Sequence, residues 1–348
     1  MPSVARVTLN RSGKRFNVER DEVILDAALR QEIWLPHACR GGSCGSCRAI
    51  VIAGVITYGS ATPGATKQVA AGPANAPTVA LLCRAKPLGD VVLDVAELPA
   101  RPIAATFRRP ARVIDIVKPS RDVAVLTVRP PPAAAIEFRP GQYICLIGDD
   151  GRRHPFSIAN APRADGTLEL HIGRVPNGRF TALVHERMRP RDIVRFEGPF
   201  GDLRFADDSG RPAILVAGGT GIAPLKAILE SASTRPPREL HLYWGSRRPE
   251  GLYFIAQISV APGVRVIGVV SEPTDPSDWR GRIGLVHRAV IEDFPDLSRF
   301  DVYACGSPGL IDAAFRDFTL RAGLPSDRFF ADAFHHAGTI PQLASAAG

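Results

Sequence analysis

The rhythm of hydrophobic and polar positions changes twice along the chain. Over residues 3–98, short alternating runs (ARVTLN, KRFNVE and later CRAIVIAGVITY and DVVLDVAEL) surround VILDAALRQE, where apolar residues recur at helical spacing. Two strands followed by a helix predict a small α+β sheet domain. From residue 110 to about 205 come the short alternating runs ARVIDIVK, VAVLTVRP, GQYICLIGD, HPFSIAN, TLELHIGRV and DIVRFEGPFG. They are interrupted by a single helical pattern, FTALVHERM, and predict an antiparallel barrel. After residue 212, strand and helix patterns alternate: AILVAG, APLKAILESA, ELHLYWG, VRVIGVV, DVYACG and PGLIDAAFRDFTLRAG. Alternation of that kind predicts an α/β domain with a parallel sheet and helical crossovers. Between the first two regions lies PARPIAATFRRPA, whose prolines suit neither a central strand nor a helix. It reads as a linker, and about ten such residues reach at most about 35 Å. The expected division is 1–98, a linker at 99–108, then 109–208 and 209–340.

Composition narrows this picture. A chain of 348 residues has room for two or three domains, and 45% hydrophobic with 22% charged residues is ordinary for a globular protein. The formal charge of +8 is dispersed among acids and forms no basic stripe with interleaved aromatics, so nucleic acid is not the expected partner. An acidic protein surface is the better match. The N-terminal MPSVARVTLNRSGKRF lacks the apolar core of a signal peptide, and AILVAGGTGIAPLKAIL is broken by glycines, Pro224 and Lys226. No membrane association is expected, and the expected location is cytoplasmic. There, the six cysteines should be ligands or free thiols and not a disulfide framework.

The cysteines carry the first chemistry. CRGGSCGSC places Cys39, Cys44 and Cys47 in one loop, with Cys83 alone in ALLCRAK. C-x4-C-x2-C followed by a distant cysteine is the plant-type ferredoxin pattern for a 2Fe-2S cluster. Gly41, Gly42, Ser43, Gly45 and Ser46 allow a loop to curl around the iron and turn N–H groups toward sulfur. Four thiolates also suit zinc, but zinc sites usually pair their ligands two by two, whereas three share one loop here. Cys145, in the apolar run QYICLI, reads as a buried small hydrophobe.

The second motif is HPFSIAN with LHIGRVPNGRFT downstream. Here the chain resembles the ferredoxin-NADP reductase superfamily, whose flavin domain carries an R-x-[YF]-[ST] strand, and the resemblance extends over the rest of the chain. It implies a multidomain fold: a ferredoxin-like β-grasp domain, an antiparallel β-barrel for the flavin and a parallel-sheet nucleotide domain. By the resemblance Phe156 packs on the isoalloxazine, Ser157 faces N5, and His171 and Ile172 line the flavin. His154 stands where the family places an arginine for the flavin diphosphate. Arg153 precedes it, but on a strand its side chain points to the other face. A helix entered through Gly178 and Arg179 offers free N–H groups to a phosphate, with Thr181 as a further donor. The implied flavin is FAD.

The third motif, AILVAGGTGIAPL, runs an apolar strand into Gly218, Gly219, Thr220 and Gly221 before a helix starting near Ala223. Such a turn lets a pyrophosphate approach the backbone. Its spacing is not that of the G-x-G-x-x-G fingerprint, but its wording resembles the nicotinamide turn of the same superfamily. YACGSPGLI resembles the family's C-G-x-P turn, which sets Cys305 and Gly306 beside the nicotinamide. A buried strand-end thiol is the competing reading of Cys305. Glu272 ends another strand and is expected toward the nicotinamide side. Ser246 and Arg247 follow the second nucleotide strand, where the adenosine ribose is read. Phe334, in the run ADAF shared with these reductases, completes the expected cofactor-binding set.

The order of the three parts resembles reductases of ring-hydroxylating oxygenases and soluble diiron monooxygenases, and also a deoxysugar-pathway reductase. The resemblance implies an enzyme that passes electrons from NAD(P)H through FAD and the 2Fe-2S cluster to a partner, with a Rieske aromatic-ring oxygenase as the first choice. A hydride carries two electrons and the cluster takes one, so the flavin must divide the pair. Ser157 and Cys305 are the residues expected at the reacting atoms, and no side chain is required as a general acid or base. A redox-sensing binding module is the remaining alternative, weakened by the presence of both flavin and nicotinamide motifs. Local charge at Ser246 to Arg248 points to NADPH and the resemblance to NADH, and NADH is the expectation. The protein is expected to be a monomer away from its terminal oxygenase.

Overall fold

The computed structural model describes residues 4–37, 47–58, 67–73, 78–97, 108–201, 203, 205, 210–232, 239–258, 263–275, 279–325 and 328–334. The chain separates into two compact units, one built on the residues up to 105 and the other spanning 106–336.

The first unit is organised by a five-stranded sheet in the order Arg15–Val18, Ala5–Leu9, Val91–Asp94, Arg48–Ala53, Thr78–Leu81. Ala5–Leu9 and Val91–Asp94 run parallel and the other pairs antiparallel. The helix Ile24–Arg30 lays Ile24, Leu25, Ala27, Ala28 and Leu29 against this sheet, where they meet Val7, Leu9, Phe16 and Leu93 in one core. Asp26 in its first turn and Arg30 in its last complement the helix dipole. The run CRAIVIAGVITY is not one strand. Gly54 breaks it at φ +92°, and a Cβ there would lie 2.3 Å from the Asp90 carbonyl oxygen, so the chain leaves the first sheet at Gly54. Val55–Tyr58 then joins Lys67–Ala70 and Ala85–Pro87 in a second, three-stranded sheet.

The second unit begins with a six-stranded antiparallel sheet, ordered Arg153–Ser157, Tyr143–Ile147, Ile193–Phe200, Arg109–Ser120, Val123–Arg129, Leu168–Gly173. Its two outer strands meet through the bridge between Ile158 and Leu170 and the hydrogen bond from Ala159 N to Glu169 O at 2.7 Å, which closes the barrel. Ala124, Leu126, Ile144, Leu146, Leu170, Ile172 and Phe196 fill it. Pro110, the last proline of the run PARPIAATFRRPA, lies inside Arg109–Ser120. It pairs only with Arg195, beyond the last register pair with the strand on the other side, Arg112 with Arg129. A missing N–H costs nothing in that overhang.

The remainder of this unit is a parallel sheet in the order Arg282–Ile283, Val264–Val270, Leu240–Ser246, Ala213–Gly218, Asp301–Gly306, Phe329–Ala333. Alternate residues of Ala213–Gly218 serve opposite faces. Ile214 and Val216 pack toward the helices Val286–Asp293 and Pro308–Arg321, and Leu215 and Ala217 toward Ile222–Ala232. Ser307 caps the Pro308–Arg321 helix by accepting from Leu310 N at 3.3 Å, with Pro308 in its first turn. Strand order reverses beside Ala213–Gly218, so the crevice at its carboxyl end is where a ligand belongs in such a sheet. Among the described residues, no helix is long and apolar enough to cross a membrane.

Candidate functional site: a cluster loop, a barrel edge and a glycine turn

Of the four predicted cluster ligands, Cys47 and Cys83 are described, and Cys39 and Cys44 lie outside the described residues. Both described thiols are buried, and their sulfurs stand 3.2 Å apart without a disulfide. The hydrogen bond from Leu82 N to Cys47 O, 3.0 Å, joins the two segments that carry them. Tyr58 supports the second segment by accepting from Leu81 N at 2.9 Å. Two buried soft donors held this close suit neighbouring ligands on one iron, which is the donor chemistry a 2Fe-2S cluster requires.

On the barrel, the strand Arg153–Ser157 is an outer strand of its sheet. Its ladder to Tyr143–Ile147 runs on through Pro155, so the nitrogen without a hydrogen is turned to the outer edge. Strand alternation puts His154 and Phe156 on one face, where both rings stack with Phe180, at 4.1 Å and 5.9 Å between centroids. Arg153 takes the other face and pairs with the buried carboxylate of Glu197 at 2.6 Å. It therefore does not replace the family arginine on the flavin side. His154 is half-buried, and burial lowers its pKa, so a neutral ring occupies the expected diphosphate position. Ser157 is buried at the seam where the barrel closes, next to Ile158 and its bridge to Leu170.

The predicted helix FTALVHERM is short and irregular, an α-turn Arg179–Ala182 followed by a π-turn Leu183–Arg187. Thr181 is buried, and its hydroxyl accepts from Val175 N at 3.1 Å and donates to Gly178 O at 3.1 Å. It holds the entry loop, and a Cβ on Gly178 would lie 2.8 Å from it. Arg179 is exposed. His185, which the sequence did not single out, binds the Ile172 carbonyl at 3.0 Å and fastens the π-turn to the barrel. His171 is buried with both ring nitrogens engaged, as a satisfied strand histidine.

The glycine turn is built from close backbone approach. A Cβ on Gly221 would lie 2.1 Å from the Cys305 carbonyl oxygen, and one on Gly218 would lie 2.6 Å from Leu310 Cδ2. Gly219, at φ +55°, has no atom within 4 Å of where its Cβ would be. The turn is thus packed tightly behind and open in front, a cradle suited to a pyrophosphate. Cys305 is fully buried, and burial raises its thiol pKa well above the usual range. Phe334 N donates to Gly306 O at 2.7 Å, which joins two of the predicted residues. Glu272 is placed differently from the expectation. Its N–H donates to the Arg247 carbonyl at 2.8 Å, and strand order sets it three strands from Cys305. At about 4.8 Å per strand that is about 14 Å, so Glu272 belongs with Ser246 and Arg247 at the other side of the crevice. Arg247 is exposed, while Ser246 Oγ would lie 1.8 Å from a Cβ on Gly251 and so packs under that glycine.

The two halves of the second unit meet at this site. A Cβ on Gly173, which ends a barrel strand, would touch Thr220 Cγ2 at 3.4 Å. The end of the barrel strand expected to line the flavin and the turn expected to hold the nicotinamide cofactor are therefore neighbours.

Comparisons with known proteins bear on the same three regions. Residues 7–88 match the 2Fe-2S iron-sulfur cluster binding domain, residues 110–205 the oxidoreductase FAD-binding domain and residues 215–316 the oxidoreductase NAD-binding domain. The CDP-6-deoxy-L-threo-D-glycero-4-hexulose-3-dehydrase reductase of Yersinia pseudotuberculosis serotype I (strain IP32953) is 39% identical over 334 residues, covering 94% of this chain and 98% of that one. Reductase component 2 of terephthalate 1,2-dioxygenase from Comamonas sp is 33% identical over 340 residues, covering 94% and 97%. Among solved structures, the ferredoxin reductase in carbazole 1,9a-dioxygenase superposes with a TM-score of 0.68 at 26% identity, covering 96% of this chain and 99% of that one.

Proposed function

Since the chain belongs to the family of three-domain reductases that join a 2Fe-2S ferredoxin domain to FAD- and NAD-binding domains, we propose that it delivers electrons from NADH, one at a time, to a separate protein whose own metal centre consumes them. The contact of Gly173 with Thr220 carries this reading, because it sets the predicted flavin edge beside the predicted nicotinamide turn. When bound, the nicotinamide supplies a hydride, FAD divides its electron pair, and the cluster passes the electrons on singly. The chain's own residues do the rest. Phe156 excludes water from the flavin face, and Ser157 orients N5. Gly219 leaves room for the pyrophosphate, and Cys305 and Gly306 wall the nicotinamide side. Cys39, Cys44, Cys47 and Cys83 hold the iron. Reduction of ferricyanide by NADH tests the first half. Cys44→Ser is expected to keep that activity while losing iron and all reduction of a protein acceptor, and zinc in stoichiometric amount in place of iron would overturn the cluster assignment.

The acceptor we propose first is a terminal oxygenase with a Rieske centre. A plant-type cluster held by these four cysteines would sit at about −400 mV, below Rieske potentials of about −150 to +300 mV, which would favour such an acceptor. A second reading, a deoxysugar dehydrase as acceptor, is favoured by one observation: 39% identity to the dehydrase reductase against 33% to the dioxygenase reductase. NADH-driven turnover with one purified acceptor of each kind separates them. The formal charge of +8 suits an acidic docking face on either. A cytoplasmic location is supported by proposed thiolate ligands that must stay reduced. Away from its acceptor the chain acts as a monomer, which light scattering checks.

A further inference from the structure

His171, on the barrel strand Leu168–Gly173, uses both its ring nitrogens. Nε2 lies 3.0 Å from Glu169 Oε1, and Nδ1 lies 3.0 Å from the Tyr253 hydroxyl. Glu169 also meets Lys226 Nζ at 3.0 Å. Burial would raise the Glu169 carboxyl, but the hydrogen bond from His171 and the Lys226 ammonium outweigh it and bring it down to about 2. An ionised carboxylate only accepts, so His171 carries its proton on Nε2, and its Nδ1 accepts from the Tyr253 O–H. Burial keeps that phenol protonated.

Tyr253 belongs to the nucleotide half, and its ring stands edge-on to Trp244 with centroids 5.2 Å apart. Trp244 Nε1 in turn donates to the carbonyl of Gly219 at 2.9 Å. The barrel strand therefore reaches the glycine turn twice. One path is direct, Gly173 against Thr220, and the other runs through His171, Tyr253 and Trp244 to Gly219. Every polar atom named in the second path is satisfied within it, so a change in the turn's height over the barrel must break a buried hydrogen bond or part the Tyr253–Trp244 ring contact.

We propose that Tyr253 is a positioning residue for hydride transfer, holding the Gly218–Gly221 turn at a fixed distance from the flavin-bearing edge through His171 on one side and Trp244 on the other. The inference rests on the functional reading above, that this turn carries the nicotinamide cofactor. A misplacement of about 1 Å in such a step can cost about a hundredfold in rate, so loosening one link of the chain should cost about tenfold.

The test uses the full chain with flavin and cluster bound. In Tyr253→Phe, the limiting rate of flavin reduction by NADH is expected to fall about tenfold, while half-saturating NADH and flavin content per chain stay within about twofold. In the same holoprotein, without nicotinamide, hydrogen exchange at the amides of residues 219–221 should quicken about tenfold. His171→Asn added to Tyr253→Phe should lower the rate no further, because the two act in one chain. Unchanged rate and exchange in Tyr253→Phe, or full additivity in the double variant, overturns the proposal. Where Tyr253→Phe loses flavin or folds poorly, Trp244→Phe removes the hydrogen bond to Gly219 instead, and an unaltered rate and exchange there is equally decisive. A wild-type protein whose flavin NADH does not reduce sinks the functional reading and this one with it. A normal wild type with an unchanged variant sinks only this one.

Discussion

The barrel and the parallel sheet present their proposed ligand surfaces in opposite ways. On the barrel, an outer strand offers alternate side chains, His154 and Phe156, stacked with Phe180. On the parallel sheet, the surface is mainly backbone: Gly218, Gly219 and Gly221 carry no side chain, and Cys305 and Leu310 pack behind Gly218 and Gly221. The first surface works through what its side chains are, and the second through side chains it does not have. A barrel substitution should therefore remove one interaction, whereas nearly any substitution in the turn should obstruct the whole site.

The sharpest way to break this contrast is Gly221→Ala. Its new methyl group would lie 2.1 Å from the Cys305 carbonyl oxygen, so backbone must move, at a cost of about 1–3 kcal/mol and with the turn displaced. NADH-driven flavin reduction is expected to fall by about a hundredfold or more, while dithionite still reduces the flavin normally. A tolerated alanine would mean the turn is not the nicotinamide cradle. Phe156→Ala comes next. Removing a large apolar contact should weaken flavin retention by about 1–3 kcal/mol, with NADH affinity per bound flavin unchanged. Dialysis followed by flavin fluorescence measures it, and full retention would count against the assignment.

Acid should distinguish the two halves more gently. Burial is the leading cause of lowered pKa values at His154, His171 and His185 in the barrel and at His287 in the nucleotide half. When a histidine's folded pKa is depressed, the unfolded chain takes up the proton first as pH falls. Stability is then complete above the unfolded pKa of about 6.5 and declines below it. Glu169, held at about 2, acts in a lower window and loses its contribution only as pH falls from about 4.5 toward 2. The flavin-release temperature should therefore drop between about pH 7 and pH 5.5, and His185→Gln should flatten that drop. A flat wild-type profile would contradict the buried neutral histidines. The smallest effect is expected at Arg247. Its exposed charge is screened, so Arg247→Ala should change kcat/KM for NADH by less than about threefold. A wild-type preference of about tenfold or more for NADPH, lost in this variant, would assign the side chain to a 2′-phosphate.

Much of this organisation is legible before any coordinates, because short-range spacing encodes it. The cysteine pattern, the apolar strand running into Gly218–Gly221 and the alternation in HPFS are local signals, and the three regions they mark match three domain families. The short strands Lys67–Ala70, Thr78–Leu81 and Ala85–Pro87 escaped because runs of three or four residues carry almost no periodicity. Val286–Asp293 was missed as a helix for a related reason. Its sequence VHRAVIED mixes buried histidine with β-branched residues, and tertiary packing overrides their weak helix propensity. The placement of Glu272 depended on strand order, which no strand end reveals by itself. His171 and Tyr253 are 82 residues apart, and no local signal joins them. Phe180 was read only as part of a helix, yet the same-face spacing of His154 and Phe156 signals that an aromatic partner is wanted.

The order of strands in the first sheet also governs how the protein is made. Val91–Asp94 lies between Ala5–Leu9 and Arg48–Ala53, so the last strand of that sheet to leave the ribosome is the one its neighbours need in order to join. Until about residue 94 has cleared the exit tunnel, the nascent segment is two disconnected pieces of sheet. All four cysteines proposed as cluster ligands precede that strand in sequence. They are therefore synthesised before the scaffold that buries Cys47 and Cys83 is complete.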